Sequence, residues 1–143
     1  MDRARIDVSR QLDGEPVVFA CFDLELGELE ASAQAVAAVT SERFRISGLT
    51  ADEVLELREL TAIADELAEL ARAEATGTVV FRPARLSAYR DAVARFVAFR
   101  DEADWVPEGE REPLARLREL LPALDQLCAE AVHAALAPAS YAR

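Results

Sequence analysis

The side chains able to do chemistry are few in kind and widely spaced. The chain of 143 residues has one histidine, His133, and two cysteines, Cys21 and Cys128. All 16 basic residues are arginine. Schiff-base and pyridoxal chemistry therefore lack their amine, and a P-loop lacks its lysine. The five glycines, Gly14, Gly27, Gly48, Gly77 and Gly109, stand one at a time along the chain rather than bunched as a phosphate cradle requires. A zinc site needs clustered ligands, and one His with two distant Cys shows no such spacing. A Cys-His nucleophile needs Cys128 beside His133, yet on a helix the two point to different faces. The expectation is a chain with no cofactor and no metal.

Carboxylates are the plentiful group, 27 Asp and Glu giving a net charge of −11. General acid work wants a carboxyl in an apolar pocket. In Asp23-Leu24-Glu25-Leu26 the acids alternate away from the apolar side. They are expected to be solvated, or paired across strands with Arg43 and Arg45 or with Arg3 and Arg5.

Two patterns suit binding instead. Glu59, Asp65, Glu66 and Glu69 share the outer side of a long helix, and Asp23 and Glu25 extend the acidic set. A field of this sign repels nucleic-acid phosphates and anionic membranes and attracts a basic protein. The same acids also serve solubility. Trp105, the one tryptophan, falls in a link between two helices. There it either caps the core or, if exposed, anchors a partner. The first functional expectation is a non-enzymatic regulator, like an immunity protein, antitoxin or adaptor, that engages a basic partner. The alternative is a small enzyme or ligand-binding domain in which Arg43, Arg45, Arg82 and Arg85 hold an anion between sheet and helices. Heptad-like helix stripes also allow a homodimer.

Abundant alanine, with no lysine or asparagine, suggests a GC-rich bacterial genome, so arginine in place of lysine carries no functional weight. The first residues hold no apolar leader segment, and no stretch reaches the roughly 18 apolar residues of a membrane span. Two thiols on apolar stretches fit a reducing cytoplasm.

The elements that must position these residues follow from periodicity. Alternation over 3–12 and 17–26, around Asp13-Gly14, predicts an antiparallel hairpin with a two-residue turn. Residues 28–39 read as helix on alanine content and as strand on alternation, with helix preferred. Arg43 to Ser47 reads as a third strand with Phe44 and Ile46 inward, and Thr78 to Arg82 as a fourth. Thr50-Ala51-Asp52-Glu53 is a capping box that opens a helix to about Ala75. A helix from Pro83 to about Ala103 follows. The last opens near Pro113 and runs to Leu136 on a stripe of Leu114, Leu117, Leu121, Leu124, Cys128, Ala131 and Ala135. The fold class is α+β: a small antiparallel sheet against three or four helices, helical toward the C-terminus. Residues 1–136 form one domain and 137–143 a flexible tail.

Overall fold

Seven elements follow one another in the computed structural model, which describes residues 3–10, 14–73 and 77–137. They are β1 (Ala4–Arg10), β2 (Pro16–Leu24), α1 (Leu26–Phe44), α2 (Ala51–Arg72), β3 (Gly77–Phe81), α3 (Pro83–Glu102) and α4 (Glu108–Leu136). The strands make one antiparallel sheet in the order β1-β2-β3. The class is α+β, with one strand beyond the hairpin and four helices. Helices α3 and α4 cover one face of the sheet, α1 packs on both, and α2 packs mainly on α1.

Burial sets the hairpin register. Ala4, Ile6 and Val8 stand opposite Phe22, Ala20 and Val18, so both apolar sets face the helices. A two-residue turn at Asp13-Gly14 would instead pair Ile6 with Cys21 and send the two sets to opposite faces. The pairing therefore closes at Arg10 and Pro16, with a longer connection than the sequence suggests. Residues 11–13 lie outside the described residues. Leu26, expected to end β2, opens α1.

Alanine settles residues 28–39 as helix. In α1, Ala31, Ser32, Ala35, Val36, Val39 and Thr40 are buried, and α2, α3 and α4 all contact it. Short side chains let three neighbours approach, which is why this helix has no single apolar stripe. The third strand expected at Arg43 to Ser47 does not form. α1 continues through Phe44 and the chain turns to Gly48, leaving Phe44 47% and Ile46 56% exposed. Two alternating apolar residues are too little to interrupt a helix already propagating from Leu26.

Helix α2 opens on the expected box: Thr50 Oγ1 accepts the Glu53 N–H at 3.2 Å, and Glu53 accepts the Thr50 N–H at 3.2 Å. It buries Leu57, Leu60, Ile63, Ala64 and Leu67 and ends at Arg72, short of the expected Ala75. Residues 74–76 lie outside the described residues. Gly77 opens β3 rather than stopping α2.

Helix α4 opens at Glu108, ahead of Pro113, because Glu108 and Glu110 suit the positive helix start. Arg100 also holds Glu110 there, at 3.1 Å. Its buried ridge is Leu114, Leu117, Leu120, Leu124, Leu127, Ala131 and Ala134. Leu120, Leu127 and Ala134 thus replace the expected Leu121, Cys128 and Ala135. Both flanks of the Leu117-Leu124-Ala131 ridge are apolar, and the neighbours choose between them. Leu127 shares a cleft with Ala4 of β1, while half-buried Cys128 turns toward the Leu86 carbonyl of α3. Pro122 is exposed inside an unbroken helix, as its outward phase requires. Ala137 aside, the expected tail lies outside the described residues. Among the described residues, no helix is long and apolar enough to cross a membrane.

Contacts between helices fix their directions. Arg90 meets Asp125 and Arg100 meets Glu110, so α3 and α4 run antiparallel. Ser32 meets Tyr89 and Glu42 meets Arg100, so α1 and α3 run the same way. Arg43 meets Glu56, which sets α2 against α1.

Candidate functional site

Strand β3 lies at the edge of the sheet, and hydrogen bonding decides which of its backbone groups face outward. The Asp23 N–H bonds the Arg3 carbonyl at 2.7 Å, toward the β1 side. Backbone groups alternate in direction along a strand, so those of Phe22 and Leu24 face β3. Their partners Val79 and Gly77 face back. Thr78 and Val80 therefore aim their N–H and C=O groups away from the sheet.

The last turns of α2 run beside this edge. Glu66, Glu69 and Leu70 line a groove of about 370 Å³ with Thr78, Val79 and Val80. On the other side of Thr78, a second groove of about 500 Å³ is lined by Arg3, Asp23, Leu24, Glu25 and Gly77. Asp23 and Glu25 from the end of β2 and Glu66 and Glu69 from α2 thus flank one short segment of β3. All four are exposed.

The flanking charge is only partly neutralised. Arg3 donates to the Asp23 carbonyl at 2.9 Å and to the Glu28 carboxylate, and lies 4.7 Å over the Phe22 ring. Glu28 also accepts the Glu25 N–H at 3.0 Å, helping to cap α1. The Asp23 carboxylate accepts the Thr78 hydroxyl. The expected charge pairing of Arg3 and Arg5 with the carboxylates of Asp23 and Glu25 is thus replaced: Arg3 pairs with Glu28, and Arg5 with Asp7 at 3.2 Å. Glu66 meets Arg85 at 3.3 Å.

The other expected binding residues do not line these two grooves. Glu59 is committed to Arg85 at 2.5 Å, and Asp65 lines a groove between α1 and α2 beside Phe44 and Arg45. Trp105 is 70% exposed, so it does not cap the core. It follows the end of α3, about 30 Å along that helix from β3. Phe44, Ile46, Leu55 and Phe99 are exposed as well.

The arginines proposed for an anion are not brought into one pocket. Arg43 meets Glu56 at 3.2 Å, and Arg85 meets Glu59 and Glu66. Arg82 lies 5.6 Å over the Phe19 ring on the outer sheet face. Arg100, on the apolar stripe of α3, bridges Glu42 at 3.2 Å and Glu110 at 3.1 Å while covering Phe96.

Two buried features are structural. The Ser32 and Tyr89 hydroxyls hydrogen-bond at 2.5 Å, and Tyr89 stacks on Phe81 with ring centroids 5.2 Å apart. Burial pushes the Tyr89 phenol well above its ordinary pKa. Cys21 is buried on the outer sheet face with its thiol 3.5 Å from Asp7, and burial also raises its pKa. His133 is exposed on α4. Among the described residues, no group of three His, Cys, Asp or Glu is placed to hold a metal ion.

Sequence reasoning named Arg3 as a partner for the acids of β2 but missed Thr78 and Val80. Gly77-Thr78-Val79-Val80-Phe81 reads plainly as a strand, but only the order β1-β2-β3 makes it an edge. No family model, no curated protein and no solved structure matches this chain.

Proposed function

We propose that this chain is a cytoplasmic regulatory protein that works by binding a basic protein partner, and that the acid-flanked edge of β3 is where it does so. One observation carries the reading: carboxylates from two elements far apart in sequence, Asp23 and Glu25 after β2 and Glu66 and Glu69 on α2, converge on both sides of Thr78. Acids that served solubility alone would have no reason to gather at one strand edge. Charge of this kind steers encounter and rejects partners of the wrong sign.

The test compares two variants of equal net charge. E66Q/E69Q removes charge at the β3 edge, and E102Q/D104N removes it at the far end of α3, beside Trp105. Binding of proteins captured from cell extract at low salt is expected to weaken about tenfold for the first and to change little for the second. Equal losses in both variants would mean that only net charge matters, and the proposal would fail.

A further inference from the structure

Resting on that reading, we infer that the partner presents an extended basic segment, which joins the sheet as a new strand along β3. The outward N–H and C=O groups of Thr78 and Val80 are a template for main-chain pairing. Proteins usually blunt such an edge with charge, proline or a covering element. The other edge strand, β1, carries Arg5 and Asp7 and has α4 packed against it. β3 carries no charge and no proline, and its Thr78, Val79, Val80 and Phe81 are strong strand formers. Its charges stand beside it instead, on α2 and at the end of β2.

The geometry also fits side chains that alternate along a strand. One set of the incoming residues would enter the groove between β3 and α2, against Leu70, Glu66 and Glu69. The other set would lie on the outer face beside Val80, which is 55% exposed, and the Thr78–Asp23 pair. A second copy of this chain is a poorer occupant. Pairing two β3 edges would bring both copies' Glu66 and Glu69 together on chains of charge −11, whereas a basic segment meets those acids favourably.

The probe is a short synthetic peptide of alternating arginine and valine, added to the full chain at low ionic strength. Amide exchange is followed residue by residue. The Thr78 and Val80 amides should exchange fast in the free protein and slow at least about tenfold when the peptide saturates it. Val80→Pro removes an outward N–H without losing a bond to β2, and its ring blocks the incoming strand. It should weaken the peptide at least about tenfold. A melting curve checks that V80P is folded; if it is not, exchange on the unaltered chain decides alone. Peptide that binds in an E66Q/E69Q-sensitive way, with the two amides unprotected, overturns strand addition but leaves the proposed function standing. No binding at low salt overturns both. A dimeric mass in solution, with the two amides protected before peptide is added, overturns the inference in favour of a second copy.

Discussion

Ser32→Ala should destabilise the protein more than Tyr89→Phe does, although it removes the smaller side chain's hydroxyl. Both residues are fully buried, and their hydroxyls bond each other at 2.5 Å between α1 and α3. S32A strands the Tyr89 hydroxyl in an apolar core, at a cost of about 1–3 kcal/mol. Alanine's better helix propensity returns roughly 0.5 kcal/mol, leaving a net loss of about 1–2 kcal/mol. Y89F keeps the stack on Phe81 and leaves a serine hydroxyl that can turn to a carbonyl of its own helix. Thr40 already does this in α1, donating to the Val36 carbonyl at 2.7 Å. The expected cost of Y89F is about 0.5–1 kcal/mol. The double variant leaves neither hydroxyl stranded, so it should be more stable than S32A alone. Urea midpoints read at constant m-value measure all three. If Y89F costs as much as S32A, or the two losses simply add, the hydroxyl pair is not what satisfies this part of the core.

Two glycines should respond oppositely to alanine, and not in the order their surroundings suggest. At Gly27 an added Cβ would lie 2.6 Å from Cζ of Arg116, but that guanidinium is a flexible tip held to Glu112 by a surface pair. Moving it costs under about 0.5 kcal/mol, while alanine gains roughly 0.5–1 kcal/mol over glycine in a helix, so G27A should raise the melting temperature slightly. Gly48 has open space around it but sits at φ +80°, so G48A should destabilise by about 1 kcal/mol. The thiols set a pH dependence: burial pushes Cys128 from its ordinary 9.0 up to about 11, so the folded state holds that proton more tightly than the unfolded chain. Stability should be fully present below pH 9 and fall as pH rises toward about 11, with Tyr89 and Cys21 adding to the fall. Denaturation across this range should show a shallower slope in C128A; an unchanged slope would remove Cys128 from the account.

Local pattern carried the helices best where a cap and a stripe agreed, as at Thr50 and the leucines of α2. It was weaker where one segment served several neighbours. The alanines of α1 alternate like a strand because the helix is buried on more than one side. In α4 two apolar flanks border one ridge, and only the positions of β1 and α3 decide between them. The hairpin shows the competition openly: Asp13-Gly14 favours a tight turn, but burying Ile6 with Ala20 requires another register, and burial wins. The candidate site was legible in residue type and not in arrangement. Glu66, Glu69, Asp23 and Glu25 stood out as acids, yet nothing local ties Phe22 to Val79, the pairing that places β3 between the two acid groups.

That pairing also explains how an edge strand with no charge or proline of its own and an acidic surface can belong to one device. Backbone hydrogen bonds along a strand edge are indifferent to sequence, so an edge such as β3 would accept many extended segments, including its own copies. Selection must then come from what stands beside the edge. Carboxylates on both sides favour a positively charged segment and disfavour a second acidic chain. Because they act through charge, their discrimination weakens with salt while the backbone pairing does not. In this reading, raising the ionic strength should cost affinity for the arginine-valine peptide and bring it closer to that of a neutral peptide of the same length, with the Thr78 and Val80 amides protected in both complexes. A charge preference that survives high salt would mean that the acids touch the partner in a dry contact rather than select it from the rim.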